Sequence, residues 1–241
     1  MIFVLRIFAI AIFAIVTFIF GCGYCLLSPR NPKHVYTFGR LFSKMSRVLG
    51  IKLEFRYAEG AEKVGSAIYI ANHQNTYDLF TVSGAVMPRT VTVGKKSLVW
   101  IPLFGQLYWI TGNILIDRAN RSKAVGTIGQ VVDKIKQNKV SVWMFPEGTR
   151  SRGRGLLPFK TGAFHAAIGA NVPVVPIVCS STDHVRLNRW DNGVVIVEVM
   201  KPISTDGLHK EDVRSLSSRC HDDMAEKLAE LNVEASERSK R

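Results

Sequence analysis

The sequence predicts an α/β fold: N-terminal membrane-associated helices followed by an α/β domain with a mainly parallel sheet. Three observations predict it. From Gly50 onward, short β-rich runs alternate with helical spacings, the pattern of strands joined by crossover helices. Hydrophobic residues make up 47% of the 241 positions, which supports a large buried core and excludes wholesale disorder. The N-terminus follows another rule, because Ile7 to Leu27 carries no charge and is dense in Ile, Phe, Val and Ala. The expected division is a helical segment over residues 1–49 and an α/β domain over residues 50–241.

The first element, read as a helix, is about 31 Å long, close to one hydrocarbon core. A cleavable signal wants small residues before its cut, and Ile19-Phe20-Gly21-Cys22 places a bulky Phe there. A helix apolar all round is poorly explained as a buried helix at a chain end. The reading is therefore a membrane anchor. Arg6 is the only charge before it; Arg30, Lys33, Arg40, Lys44 and Arg47 follow it. If it spans, that positive excess keeps the remainder cytoplasmic. If it dips into one leaflet, the same residues lie against anionic headgroups. Both remain open.

Ser28-Pro29-Arg30-Asn31-Pro32 breaks the helix. Val35–Leu49 has helical apolar spacing with Arg40, Lys44 and Arg47 on its polar side. Strands are expected at Ile51–Tyr57, Ala67–Ala71, Thr90–Val93, Asn113–Ile116, Val140–Phe145, Val174–Cys179 and Val194–Val199. Helices are expected at Leu79–Val86, Lys123–Lys136, Thr161–Ala170 and Lys210–Glu234, with Ala235–Arg241 frayed.

Composition narrows the partners. Residues 1–208 hold 25 Lys and Arg against 11 Asp and Glu, whereas residues 209–241 hold 7 against 8. The body is thus basic and attracts polyanions. Four Cys are too sparse for a disulfide scaffold, and the Cys22/Cys25 pair sits in an apolar run with no second pair for zinc. No G-x-S-x-G, nucleotide P-loop, G-x-G-x-x-G or H-E-x-x-H is present. Lys160-Thr161-Gly162 matches one β-lactamase triplet, but no S-x-x-K accompanies it.

In a parallel α/β sheet, functional groups gather beyond the carboxyl ends of the strands. Ala67–Ala71 is followed by Asn72-His73-Gln74-Asn75-Thr76-Tyr77-Asp78. On one continuous helix His73 and Asp78 would point about 140° apart. They meet if His73 lies in the loop and Asp78 in the first turn beyond it. An Asp on one imidazole nitrogen leaves the other free to take a proton. Val140–Phe145 runs into Pro146-Glu147-Gly148-Thr149-Arg150-Ser151-Arg152-Gly153-Arg154-Gly155, whose Arg side chains and backbone N–H groups suit an anion. Arg118 follows Asn113–Ile116, and Lys95 follows Thr90–Val93. Cations from three strand ends thus converge beside a candidate general base.

At these residues the chain resembles the glycerolipid acyltransferase family. His73 with Asp78 is similar to its His-x4-Asp motif, and Gly112–Arg118, Phe145–Ser151 and Val172–Pro176 resemble the three motifs that follow, in family order. Leu115 stands where many relatives carry Phe. Ser28–Val35, Thr90–Asp117 and Ser141–His165 further resemble the bacterial 1-acyl-sn-glycerol-3-phosphate branch, so the likeness covers most of the chain.

The resemblance implies that residues 50–241 form an acyltransferase catalytic domain. It implies acyl transfer from acyl-CoA or acyl carrier protein to the sn-2 hydroxyl of lysophosphatidic acid, giving phosphatidic acid, with no cofactor and no metal. His73 would be the base and Asp78 its orienter. Arg118, Arg150 and Lys95 would hold the acceptor phosphate, and Glu147, Gly148 and Thr149 would complete the substrate-binding loop. The expected location is the bacterial inner membrane, with membrane phospholipid as a partner and the catalytic domain on the cytoplasmic side. Two other readings stand beside this one. A related acyltransferase would use glycerol 3-phosphate or another lysophospholipid as its acceptor. A non-enzymatic anion-binding membrane protein, such as a nucleic-acid tether, would want aromatics among the basic residues, and Ser151–Leu157 has none, so no nucleic acid is expected.

Overall fold

A computed structural model describes residues 1–116 and 121–240. Helix α1 (Ile2–Leu26) is followed by α2 (Lys33–Ser43) and then by strand β1 (Lys52–Tyr57). The remaining elements are β2 (Ile68–Ala71), β3 (Thr90–Lys95), α3 (Phe104–Ile110), β4 (Ile114–Ile116), α4 (Arg121–Asn138), β5 (Ser141–Met144), α5 (Gly162–Ala170), β6 (Val174–Cys179), β7 (Val194–Val199) and α6 (Val213–Ser239).

Seven strands form one sheet in the order β1-β7-β6-β2-β5-β3-β4. From β6 to β4 all neighbours are parallel, β7 is antiparallel to β6, and β1 is parallel to β7. The mainly parallel expectation is met. Because β7 and β1 are reversed, their amino ends share an edge with the carboxyl ends of β2, β5 and β6.

Alternation along each strand builds two cores. Ile68 and Ile70 of β2 join Val91, Val142, Phe164 and Met224 beneath α4, α5 and α6. Tyr69 and Ala71 join Trp143, Val175, Ile177 and Val197 on the other face, with Val35, Met45 and Leu49. The period of two places successive side chains on opposite faces, so a buried central strand feeds both layers.

The N-terminal helix lies against that second layer. Ile10 and Phe13 pack on its core, and Thr17, Gly21 and Cys25 are buried. Arg6, read from sequence as the charge preceding the helix, is inside it and only 3% exposed. Its guanidinium donates to the carbonyls of Val48 (2.8 Å), Leu187 (3.1 Å), Trp190 (2.9 Å) and Arg189. Phe3, Phe8, Ile12, Ile15, Ile19 and Phe20 point outward and are exposed. Among the described residues this is the one helix long and apolar enough to cross a membrane.

Three expectations need correction, and one pair of elements was not expected. The helix expected over Val35–Leu49 ends at Ser43 and passes into a 3-10 turn, Lys44–Ser46. The helix expected over Leu79–Val86 is instead a pair of 3-10 turns, Thr76–Leu79 and Val82–Ala85. Thr81 and Ser83 hydroxyls donate back to the Tyr77 and Leu79 carbonyls, competing with helix geometry. Helix α3 and the 3-10 turn Lys96–Trp100 before it had no assignment. Residues 235–239 are helical rather than frayed: Ser239 Oγ accepts the Val194 N–H (2.8 Å), and Arg238 pairs with Glu54 at 2.7 Å.

Candidate active site

The loop after β2 is held by its own side chains. Asn72 Oδ1 accepts the Cys179 N–H (2.8 Å) and its Nδ2 donates to the Cys179 carbonyl (2.9 Å), extending the β2–β6 pairing by one side-chain bridge. Gln74 Nε2 donates to the Cys179 and Ser180 carbonyls, both at 2.9 Å, and its Oε1 accepts the Thr182 N–H. Asn75 Oδ1 caps the following 3-10 turn by accepting the Tyr77 N–H at 2.8 Å. That turn delivers Asp78 back to the loop.

His73 and Asp78 therefore meet. His73 Nδ1 lies 2.6 Å from Asp78 Oδ2, which also accepts the Gln74 N–H at 2.8 Å. Asp78 is buried, whereas the His73 side chain is 20% exposed. Its ring stacks on Phe145, with centroids 4.1 Å apart and planes 17° apart. With Asp78 on Nδ1, the imidazole proton sits there and Nε2 carries the basic lone pair. Asp78 Oδ1 is buried with no hydrogen-bond partner among the described residues, so the carboxylate acts through its other oxygen.

The loop after β5 is locked to the first. His73 N–H donates to Glu147 Oε1 (2.5 Å), and Leu157 N–H donates to Oε2 (3.0 Å). Ser151 N–H donates to the His73 carbonyl (2.8 Å), and Arg152 N–H to the Gln74 carbonyl (3.0 Å). Glu147 is 3% exposed, and its burial raises its pKa against the opposing pull of the two N–H donors. Both of its oxygens are spent on backbone N–H groups, so it braces the loops where the sequence placed it among the substrate-binding residues.

Gly148 turns the chain at φ +70°, and the Lys160 side chain lies over it, 2.9 Å from where a Cβ would stand. Thr149 and Arg150 are exposed at the loop tip. Lys95, also exposed, ends β3, which pairs with β5. Arg118 lies outside the described residues. The structure thus joins His73, Asp78 and Glu147 by hydrogen bonds, with Gly148 next in the chain, and it leaves the Thr149, Arg150 and Lys95 side chains facing solvent.

Sequence reasoning missed Asn72, Gln74 and Asn75 as loop clamps, although three amides directly after a buried apolar strand are a signal. It also missed Lys160, noted only as part of an unrelated triplet. An apolar cavity of about 110 Å³ opens beside this loop, lined by Phe38, Phe42, Leu79, Phe104, Leu107 and Tyr108 among others. Leu79 directly follows Asp78. Among the described residues, no group of three or more His, Cys, Asp or Glu is placed to hold a metal ion.

Residues 52–180 match the Acyltransferase family model. The chain is 56% identical over 239 residues to the 1-acyl-sn-glycerol-3-phosphate acyltransferase of Escherichia coli (strain K12), covering 99% of this chain and 98% of that one. The enzyme of the same name from Haemophilus influenzae is 53% identical over 95% of this chain and 96% of its own length. That of Saccharomyces cerevisiae is 33% identical over 88% and 74% respectively. The crystal structure of the 1-acyl-sn-glycerophosphate (LPA) acyltransferase, PlsC, from Thermotoga maritima superposes with a TM-score of 0.71 over 95% of each chain at 24% identity, a likeness of fold. With the matched region reaching from β1 to the residue after β6 and holding the His73–Asp78 pair and both loops around it, this chain belongs to the acyltransferase family.

Proposed function

We propose that the protein transfers an acyl chain from a thioester, acyl-CoA or acyl carrier protein, to the sn-2 hydroxyl of 1-acyl-sn-glycerol 3-phosphate, giving phosphatidic acid. The observation that carries the reading is the 2.6 Å contact between His73 Nδ1 and Asp78 Oδ2, made beside a loop that presents exposed cations. His73 Nε2 takes the proton from the acceptor hydroxyl as its oxygen attacks the thioester carbonyl. The C–S bond breaks as the tetrahedral intermediate collapses, and the proton passes to the departing thiolate. Asp78 holds the tautomer and stabilises the imidazolium. Exchange of a thioester for an oxygen ester runs downhill, so no cofactor is required.

Arg150 and Lys95 bind the acceptor phosphate, with Arg118 expected to join them. Thr149 stands beside Arg150 at the same exposed tip. Charge-assisted contacts of this kind orient as well as bind. The apolar cavity next to Leu79 suits part of an acyl chain. Both acyl donors are acidic, which suits the basic body.

The exposed apolar face of α1 supports insertion at a membrane, the bacterial inner membrane with the catalytic domain on the cytoplasmic side, where the lipid acceptor resides. The deciding experiment assays the purified protein with one acyl donor against lysophosphatidic acid, glycerol 3-phosphate and zwitterionic lysophospholipids. Phosphatidic acid is the expected dominant product. Preference for glycerol 3-phosphate would reassign the acceptor, and no transfer to any of them would end the acyltransfer reading.

A further inference from the structure

Between α1 and α2, and again after α3, two turns meet in an unusual way. Arg30, in the turn between α1 and α2, has φ +60°, a left-handed conformation that disfavours any side chain but glycine's hydrogen. Its N–H donates to the Ile110 carbonyl at the end of α3 (3.0 Å). Gly112, at φ +86°, lies so close that a Cβ there would come within 2.8 Å of the Arg30 carbonyl oxygen. The two turns are thereby docked, and the docking holds the Arg30 guanidinium over the Trp109 ring, 5.9 Å from its centroid. A residue kept in a disfavoured conformation by its surroundings invites a functional reading.

A second cation faces the first. Lys134 of α4 donates to the Gly112 carbonyl (2.7 Å), which spends one of its three ammonium hydrogens. A cavity of about 220 Å³ opens between Arg30, Lys134, Trp109, Gln130 and Asn113 at the edge of β4, and among the described residues no carboxylate lines it. Among the described residues neither cation makes a salt bridge. The neighbouring acid on the same helix, Asp133, is exposed and outside the lining. Burial and the nearby Arg30 charge both lower the Lys134 pKa, the state of an ammonium that lacks an anion.

We propose that Arg30 and Lys134 form a preformed site for the phosphate group of a membrane lipid, separate from the catalytic site. Gly112 and Asn113 precede β4, so the cavity lies towards the amino end of that strand, whereas the catalytic loops follow the carboxyl ends of β2 and β5; Asn113 lines both this cavity and the apolar one beside Leu79. The turn continues directly from α1, where Leu27 is 86% exposed, and Trp109 is half exposed at the rim. Bare apolar residues beside a half-exposed Trp and two cations are the residue types of a membrane interface. The cavity has room for a phosphate with a few waters. Phosphatidate, the product under the proposed function, carries the phosphomonoester that two cations suit. The inference rests on the membrane placement of α1.

Flotation of the full-length protein with vesicles of phosphatidylcholine, with or without about 20 mol% phosphatidate, reads the site. Wild-type protein should gain binding when phosphatidate is present. The double variant Arg30→Gln/Lys134→Gln should lose about thirtyfold of that gain, the combined effect of two basic residues at a lipid surface. It should bind plain phosphatidylcholine like wild type and keep its turnover in detergent micelles. If the pair does not fold, Arg30→Gln alone carries the test, with about a fivefold loss expected. The charge-preserving Lys134→Arg should retain the gain. An undiminished gain in the folded Gln variants overturns the proposal. Inorganic phosphate that abolishes the gain at equal concentration would assign the site to the free anion and overturn the lipid assignment. Wild-type protein that floats with neither vesicle defeats the membrane reading and this inference together, whereas a missing phosphatidate gain alone defeats only this one.

Discussion

The two loops of the candidate site are built on opposite plans. In the loop after β2, Asn75 and Asp78 bond within the loop and Asn72 and Gln74 bond to the end of β6 and the residues after it, so His73 is held from both backbone and ring. The loop after β5 is anchored through its backbone, by Glu147, by the N–H groups of Ser151 and Arg152 and by the Arg154 guanidinium on the Ser151 and Arg150 carbonyls, and it leaves the Thr149 and Arg150 side chains exposed. A general base must hold one geometry to be effective, so its loop is over-determined. A cation that catches a mobile lipid phosphate works from a solvent-facing tip. The contrast assigns rate to the first loop and acceptor affinity to the second.

The largest effect is expected from His73→Ala, which should lower kcat by about two to four orders of magnitude with the fold intact. Far-ultraviolet circular dichroism beside steady-state assays checks it, and near-normal turnover would remove His73 from the chemistry. Arg150→Ala should raise the KM for the acceptor about tenfold or more, the loss of one charge-assisted contact, with the donor KM unchanged. A rise confined to the donor KM would place the cation on the other substrate.

Glu147→Gln sits between the loops and should touch both stability and rate. The amide offers one acceptor where two N–H groups need one each, so a buried donor is orphaned at a cost of about 1–3 kcal/mol. Thermal unfolding should register that loss, with kcat lowered and the acceptor KM nearly unchanged. A pure KM effect would mean that Glu147 touches the substrate after all.

The smallest effect lies away from the site. Arg56 holds the Glu234 carboxyl down to about 2 through hydrogen bonds, with help from Arg238. A folded-state pKa below the unfolded value of about 4.3 stabilises the protein above that pH, and the contribution fades as pH falls towards 2. Glu234 is one-third exposed, so solvent screens much of it. Glu234→Gln should flatten acid unfolding slightly in that window and leave turnover at neutral pH unchanged.

The same contrast governs what was legible in the sequence. Strands such as Val174–Cys179 and Val194–Val199 were readable to the residue because buried β-branched runs have few other homes. The His73–Asp78 pair was readable as chemistry because the spacing demanded a loop and a turn. The 3-10 turns after Asp78 were not, since they answer to packing: Gly39 of α2 approaches so closely that a Cβ would collide with the Ser83 carbonyl. Helix α3 was missed because seven nearly all-apolar residues show no period. The role of Arg6 depends on carbonyls some 180 residues away, which no local pattern reports.

Under the proposed mechanism Asp78 acts through His73 and not independently of it. A double-mutant cycle on kcat measures this directly. Asp78→Asn keeps an oxygen for the Gln74 N–H and should slow the wild type markedly, yet add almost nothing to His73→Ala. If the two losses instead multiply in His73→Ala/Asp78→Asn, Asp78 serves the reaction by another route and the base–orienter account is wrong.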